Sequence, residues 1–228
     1  MTDIKAKLKI INEKISEAAE KSGRKREDIT LIAVTKSKPP EMINEAIKCG
    51  ADIIGENKVQ ELMAKIDYIT GYSQIHFIGQ LQTNKVKYII DKVDLIQSVD
   101  RLQLATEIDK RAAALAKKIP VLVEVNTAGE ETKAGIAPGE VRAFIERIAQ
   151  LPNITVRGLM TVAPYSSNPD NVRPYFNKMR ELFESLKGVG REDFTMQYLS
   201  MGMSNDYEAA IAEGSNMVRI GTAIFGIR

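Results

Sequence analysis

The chain has 228 residues, a length that suits one large domain or two small ones. It carries 32 Lys plus Arg against 30 Asp plus Glu, so its nearly balanced charge gives no reason to expect binding to nucleic acid or to an anionic membrane. No apolar run approaches the length of a membrane span, and the N-terminus does not resemble a signal peptide. The single cysteine, Cys49, excludes an intramolecular disulfide and a multi-cysteine metal site. These features predict a soluble, cytoplasmic protein.

The chain begins with a charged, amphipathic segment that predicts a helix over residues 1–23, and β-rich and helical segments alternate after it. The β-rich segments are 30–36, 52–56, 74–80, 95–100, 120–127, 154–164, 195–202 and 217–226. The helical segments between them are 40–50, 57–69, 83–93, 101–118, 139–150, 171–187 and 205–214.

This alternation predicts parallel strands joined by crossover helices. Eight such units over residues 30–226 favour a closed (β/α)8 TIM-type barrel with an extra N-terminal helix. No linker or low-complexity segment divides the chain, so we expect a single domain over residues 1–228. A doubly wound open sheet is the alternative, and it is disfavoured because "KSKPP" follows the first strand where a Gly-rich dinucleotide fingerprint would stand.

The first predicted strand ends in a lysine, within "LIAVTKSKPP" at residues 31–40. In a strand over 30–36, Ile32, Val34 and Lys36 share one face. If that face points inward, Lys36 lies at the carboxyl end of the barrel, where the active sites of such barrels are found. Both interpretations of Lys36 remain open from this segment: a solvated lysine just past the strand, or a reactive amine in an active-site mouth.

The ends of the last two predicted strands suggest a phosphate site. Ser204 or Asn205 is placed to cap the helix that follows the seventh strand. Gly221 and Thr222 lie in the segment assigned to the eighth strand, and barrels often hold phosphate with the loops after strands seven and eight. The alternative is one ordinary helix cap and one glycine in the core.

Arg219 stands two residues before Gly221 and therefore on the same strand face, so we expect it to point into the same barrel mouth. An arginine can only donate hydrogen bonds, and it can serve as the partner of a pyridine nitrogen that carries no proton. Together with Lys36 and a phosphate site, it indicates a phosphorylated aldehyde held on a lysine, with pyridoxal 5'-phosphate (PLP) as the candidate. The alternative for Arg219 is a salt bridge to Glu124 or Asp100.

Several segments resemble one known family: "AVTKSKP", "GENKVQEL", "HFIGQLQTNK", "VNTAGEETKAGI", "LSMGMSNDYEAAI" and "VRIGTAIFG". Their order and content are similar to the pyridoxal phosphate homeostasis protein family over nearly the whole chain. The resemblance implies a PLP-binding barrel of the fold type III kind, similar to the N-terminal domain of alanine racemase. It also implies that the lysine matching Lys36 forms the internal aldimine and that the arginine matching Arg219 faces the pyridine nitrogen. The residues that match the remaining family contacts are Ser204, Gly221 and Thr222 for the phosphate, and Asn57, Ser200 and Met201 for the ring.

The function implied by the resemblance is PLP homeostasis, meaning storage, protection and delivery of PLP to apo-enzymes, without substantial amino-acid turnover. Lys38 and Lys133 are candidate amines for exchange with the bound cofactor. Alanine racemase looks like this barrel plus a β domain that forms its dimer and supplies a catalytic tyrosine, whereas this sequence reaches "FGIR" directly after the eighth predicted strand. We therefore expect a monomer.

Two alternative functions remain open, a PLP-dependent racemase and a Schiff-base aldolase that acts on a sugar phosphate. A racemase needs an acid or base on each face of the ring. His76 lies inside the apolar run of the third strand, so it is interpreted as a structural histidine and not as that second base.

Overall fold

The computed structural model describes residues 4–130, 133–187 and 194–226. Within these residues the strands are β1 (Thr30–Val34), β2 (Ile53–Glu56), β3 (Gln74–Phe77), β4 (Leu95–Val99), β5 (Ile119–Glu124), β6 (Ile154–Met160), β7 (Phe194–Ser200) and β8 (Met217–Ile220). They form a closed barrel in chain order, because β1 pairs in parallel with both β2 and β8. The predicted (β/α)8 barrel is confirmed, and the open doubly wound sheet is wrong.

Helices surround the barrel. They are α1 (Ile4–Lys21), α2 (Pro40–Lys48), α3 (Val59–Lys65), α4 (Val86–Ile89), α5 (Leu102–Ala113), α6 (Val141–Ile148), α7 (Arg173–Leu186), α8 (Tyr207–Ala212) and α9 (Thr222–Phe225). The N-terminal helix α1 packs against α8 and α9. None of the helices in the described part of the chain is both long and apolar enough to cross a membrane.

Strand alternation divides the apolar side chains into an inner and an outer layer. The inner cluster contains Ile32, Leu95, Leu122, Met160 and Met217, each from a different strand. Their neighbours along the strands belong to the clusters between barrel and helices; Val218 and Ile220 of β8, for example, pack in the cluster under α1. Since side chains alternate along a strand, Arg219 between them points into the barrel, as predicted.

The last predicted strand, over 217–226, is wrong in its second half. Strand β8 ends at Ile220, and the chain then forms the short helix α9. The apolar residues Ile224 and Phe225, which had suggested a strand, are buried in the cluster under α1. Tertiary packing against α1 therefore decides the conformation of a segment whose composition suits either element.

The first strand is also shorter than predicted. It ends at Val34, and Thr35 makes one more backbone bond, from its N–H to the carbonyl of Gly55 at 3.0 Å. Lys36 therefore lies on a turn after the strand, and strand alternation does not determine where its side chain points.

Candidate functional site

The predicted site residues come from four neighbouring strands. In the closed barrel β7, β8, β1 and β2 follow one another around the ring. Their carboxyl ends carry Ser200 at the end of β7, Arg219 in β8, Lys36 just after β1 and Asn57 just after β2. Residues that are far apart in sequence thus meet on one side of the barrel mouth.

The turn after β1, residues 35–38, is called the Lys36 turn. It is closed by a hydrogen bond from the Lys38 N–H to the Thr35 carbonyl at 3.1 Å. Ser37 has a φ of 58°, a left-handed conformation that costs a residue with a side chain roughly 1–2 kcal/mol. Thr35 is buried and Lys36 is exposed, so the turn presents the amine to solvent, where a dissolved aldehyde can reach it.

Helix α3 holds the Lys36 turn from both sides. The Ser37 N–H donates to the Glu61 carboxylate at 2.7 Å, and the Lys65 ammonium donates to the Thr35 carbonyl at 2.7 Å. The hydrogen bond from Ser37 lowers the pKa of Glu61 below its ordinary value. These contacts fix the backbone before and after the lysine and involve no atom of its side chain.

The support from Lys65 rests on a buried ion pair. Its ammonium lies 2.5 Å from the Glu56 carboxylate, whose side chain is fully buried. The Thr35 hydroxyl donates to the same carboxylate. Burial raises the pKa of Glu56, and the charge of Lys65 opposes that rise. Sequence reasoning missed Glu61 and Lys65; their i, i+4 spacing on one helix, following a strand that ends in Glu56, was the available signal.

Arg219 is held in the opposite way, by its own side chain inside the barrel. Only 4% of it is exposed. Its guanidinium donates to the Ser200 hydroxyl at 2.6 Å and to the Thr161 carbonyl at 2.8 Å. Burial lowers its pKa to about 10, so the side chain stays protonated at neutral pH and acts only as a donor.

The alternative of a salt bridge between Arg219 and Glu124 or Asp100 is wrong. Within the described residues no carboxylate lies within 4.0 Å of the guanidinium nitrogens. Glu124 nonetheless affects the mouth through its charge. Burial, and then the negative charge of Asp100, raise the pKa of Glu124 to about 7, while Arg219 opposes the rise. The mouth therefore contains a carboxyl group that changes its charge near neutral pH.

Ser204 lies at the N-terminus of α9. Its hydroxyl oxygen accepts from the N–H groups of Gly221 and Ala223, each at 3.3 Å. Thr222 between them is exposed. The N–H groups of Gly221 and Ala223 are thus directed at the Ser204 oxygen, while the Ser204 hydroxyl proton and the exposed Thr222 side chain lie at the same helix start. Backbone and hydroxyl donors grouped in this way favour a phosphate group.

The predicted caps of α8 are wrong. Neither Ser204 nor Asn205 caps this helix; Asp206 occupies the N-cap position, and its carboxylate accepts from the Met203 N–H at 2.6 Å. The hydroxyl of Ser204 is used at α9 instead. The sequence alone did not indicate this, because α9 was assigned to a strand.

Gly221 allows the start of α9 to approach the end of β1. A Cβ atom at this position would lie 3.2 Å from the Val34 Cβ and 3.2 Å from the Val34 carbonyl oxygen. The neighbouring backbone would have to move to accommodate it. The absence of a side chain at Gly221 therefore places the Ser204 cluster directly beside the strand that leads to Lys36.

Asn57 offers an acceptor that has no partner in the described protein. Its Oδ1 atom is buried and receives no hydrogen bond. Its backbone is packed tightly against Gly79, where a Cβ atom would lie 2.2 Å from the Asn57 carbonyl oxygen. A buried acceptor without a donor costs about 1–3 kcal/mol, and a ligand that brought a donor to Asn57 would remove this cost.

Other candidates lie away from this cluster. The Met201 side chain is fully buried in the core between strands and helices, so this residue offers the mouth only its backbone. The Lys38 ammonium donates to the carbonyls of Phe225 and Gly226 at 3.4 and 3.2 Å. Lys133 pairs with Glu130 at 3.0 Å in a loop whose residues 131–132 lie outside the described part of the chain.

Comparison with known proteins identifies the relatives of the chain. The family described as alanine racemase, N-terminal domain, matches residues 7–228. The chain is 47% identical over 224 residues to the pyridoxal phosphate homeostasis protein of Aquifex aeolicus strain VF5, covering 97% of each chain. It is 42% identical over 234 residues to the protein of the same name from Escherichia coli strain K12, covering 100% of this chain and 98% of that one. The chain belongs to the pyridoxal phosphate homeostasis protein family.

The chain is also similar to a solved structure. PipY of Synechococcus elongatus PCC7942, with PLP bound, superposes with a TM-score of 0.77. The two chains are 32% identical, and the match covers 93% of this chain and 100% of that one. The resemblance that the sequence motifs predicted is therefore confirmed at the level of the family and of the fold.

Proposed function

We propose that this protein binds PLP covalently through Lys36 and takes part in PLP homeostasis by storing the cofactor, protecting it and delivering it to apo-enzymes. One observation carries the proposal: an exposed lysine on a braced turn stands beside a phosphate-type helix start and a buried arginine donor. The PLP-bound structure of PipY and the name of the relatives support the same cofactor.

The residues of the mouth fit PLP group by group. The aldehyde meets the exposed amine of Lys36, and the phosphate suits the Ser204 hydroxyl, the backbone of Gly221 and the side chain of Thr222. Bound PLP supplies an aldehyde that condenses with amines and a ring that withdraws electrons. Asn57, Ser200 and the backbone of Met201 are the proposed ring contacts.

Arg219 favours keeping the cofactor over using it. As a protonated donor it suits a pyridine nitrogen without a proton, whereas an acidic partner would hold that nitrogen protonated and make the ring a stronger electron sink. His76 is no second base for racemisation, since it is 2% exposed and both ring nitrogens are hydrogen-bonded. A carrier of PLP is therefore the function that this arrangement supports best.

The test is a transfer assay. Protein loaded with PLP and freed of unbound cofactor is mixed with a PLP-dependent apo-enzyme, and the recovery of that enzyme's activity is followed. We expect recovery with the wild type and none with Lys36→Ala treated identically. Lys9→Ala serves as the matched control, because Lys9 is 78% exposed on α1. A wild type that binds PLP and never releases it to an apo-enzyme would contradict the carrier function.

Glu124 is the observation that favours a second candidate, PLP-dependent amino-acid chemistry. It is a carboxyl group in the mouth with a pKa of about 7, which suits a general base at neutral pH. The test is incubation of the loaded protein with single L-amino acids, followed by chiral analysis. The carrier proposal expects no turnover; turnover that Glu124→Gln abolishes would establish the second candidate.

A further inference from the structure

A chain of hydrogen-bonded side chains runs through the interior of the barrel from Arg219. The guanidinium donates to the Ser200 hydroxyl at 2.6 Å, and this hydroxyl donates to the Gln97 Oε1 at 2.7 Å. The Gln97 Nε2 lies 3.1 Å from the His76 Nδ1, and the His76 Nε2 lies 2.9 Å from the Gln74 Oε1. Four strands, β8, β7, β4 and β3, contribute to this interior chain.

The interior chain has one direction of donation. Arg219 has no acceptor, so the Ser200 oxygen accepts from it. The Ser200 hydroxyl donates its own proton to the Gln97 Oε1. The Gln97 amide nitrogen then faces His76 and donates, which requires an unprotonated Nδ1. The remaining imidazole proton sits on Nε2 and is donated to Gln74. The positively charged arginine thus selects one tautomer of a histidine that lies three hydrogen bonds away.

The direction of donation matters because the side chains of the interior chain are buried. Gln97 and Ser200 are fully buried, and His76 is 2% exposed. A buried polar group that loses its partner incurs its desolvation penalty in full, so reversal of any one bond affects the next. Burial also lowers the pKa of His76 to about 4, which agrees with the neutral imidazole that the direction of donation requires.

The interior chain ends at a second opening of the barrel. A cavity of about 590 Å³ lies at the amino ends of strands β3 to β6, and Gln74 and His76 line it. The charged and titratable side chains around it are Asp94, Lys118, Arg157 and Tyr198. The interior chain thus connects the mouth to the opposite end of the barrel, where the sequence had suggested no functional residue.

We propose that Gln97 and His76 are positioning residues for Arg219. Gln97 holds the Ser200 hydroxyl as an acceptor toward Arg219, and His76 fixes the orientation of the Gln97 amide. This inference rests on the proposed function, since it assigns to Arg219 the role of donor to the PLP ring. It adds two residues from the opposite half of the barrel to the cofactor site.

The first test needs no cofactor. His76 is the one histidine of the sequence, so the ¹⁵N signals of its imidazole can be assigned directly in the ligand-free protein. We expect the neutral tautomer with the proton on Nε2 in the wild type. Ser200→Ala removes the hydroxyl that orients Gln97, so we expect the imidazole shifts to move toward the other tautomer. Unchanged shifts in Ser200→Ala would overturn the proposal.

The control for this test is Gln197→Ala. Gln197 lines the same cavity, but its side chain contacts Tyr198 and takes no part in the interior chain. We expect the His76 shifts to keep their wild-type tautomer in this variant. A change as large as that in Ser200→Ala would mean that His76 responds to any nearby substitution, and the proposal would fail.

The second test measures PLP affinity by equilibrium dialysis. His76→Leu removes the imidazole acceptor for Gln97 and leaves its amide only the weak acceptor of the Met217 sulfur at 3.3 Å, so PLP binding should weaken about tenfold. His76→Asn keeps an acceptor near the Nδ1 position and should restore most of the affinity. Equal affinity in wild type and His76→Leu, or equal loss in both variants, would overturn the proposal. If the wild type bound no PLP, the proposed function would fail, while the coupling seen in the first test would stand.

Discussion

Lys36 and Arg219 are both cations of the barrel mouth, and the protein holds them in opposite ways. Lys36 is exposed, and the structure shows no hydrogen bond or ion pair for its ammonium among the described residues. Its position is set through its neighbours, Thr35 and Ser37, by helix α3 outside the barrel. Arg219 is buried, and its own guanidinium is fixed by hydrogen bonds inside the barrel.

The difference follows from what each group has to do in the proposed function. An amine that captures and releases an aldehyde needs access and freedom of its side chain. A donor that holds a ring in one orientation is most effective when its side-chain entropy has been lost during folding and not during binding. Substitution of Lys36 should therefore change the reaction with PLP, whereas substitution of Arg219 should also change the stability of the fold.

The largest expected effect comes from removing the ion pair beneath the Lys36 turn. Lys65→Met leaves the Glu56 carboxylate buried without its partner, so the free energy of unfolding should fall by about 3–5 kcal/mol. Urea denaturation measures this change. In the double variant Glu56→Gln/Lys65→Met the unpaired charge is gone, and most of the stability should return. A loss below about 1 kcal/mol in the single variant would show that the pair does not support the turn.

The direct comparison of the two cations should give the next largest effect. Arg219→Leu leaves the Ser200 hydroxyl and the Thr161 carbonyl without their donor, so unfolding should become easier by about 1–3 kcal/mol. Lys36→Ala changes an exposed side chain and should alter stability by less than about 0.5 kcal/mol. Denaturant titration of both variants measures the two changes in the free energy of unfolding. Equal stability losses would contradict the distinction between a braced turn and an embedded arginine.

Glu124 should make stability depend on pH. Its folded pKa of about 7 lies above its ordinary value of 4.5, so its contribution to stability is fully present below the lower value and is lost as pH rises through the higher one. Glu124→Gln resembles the protonated form and should remove this loss, which we expect to be on the order of 1–2 kcal/mol. Thermal unfolding across this pH range measures it. Parallel pH profiles in wild type and variant would contradict the assignment.

Among the residues that support the turn or line the mouth by their charge, Glu61 should have the smallest effect on stability. Its pKa is lowered by the hydrogen bond from Ser37, so its contribution to stability is present above its ordinary pKa and is lost as pH falls through the folded value. Glu61→Ala should reduce stability by about 0.5–1.5 kcal/mol and slow PLP capture, because the turn loses one brace. Stopped-flow absorbance measures the capture rate. Glu61→Asp has a shorter carboxylate and should restore part of the capture rate. A wild-type rate of PLP capture in Glu61→Ala would show that Glu61 does not support the turn for capture.

The sequence predicted what depends on local pattern. The alternation of segments predicted the barrel, and the two-residue period of β8 predicted an inward Arg219. Where it failed, contacts distant in sequence decide: α1 packs on the last segment and makes it a helix, and Ser204 therefore caps α9 instead of α8. No local signal indicates such contacts.

The supporting side chains were missed for the same physical reason. The Ser200–Gln97 bond joins residues 103 positions apart, so no sequence spacing suggests it. The sequence places His76 inside an apolar strand, and its hydrogen-bond partners are evident only from the folded barrel. The role of a polar residue inside a strand can be assigned only when its neighbours across the barrel are known.

The central claim, that Lys36 is the covalent anchor for PLP, has a direct test. The purified protein is incubated with PLP, its visible absorption is recorded, and borohydride reduction is followed by peptide mapping. We expect a visible band and one reduced pyridoxyl group on the peptide that contains Lys36, with both absent in Lys36→Ala. A band that persists in Lys36→Ala, or a label distributed over Lys38, Lys133 and other lysines, would contradict it.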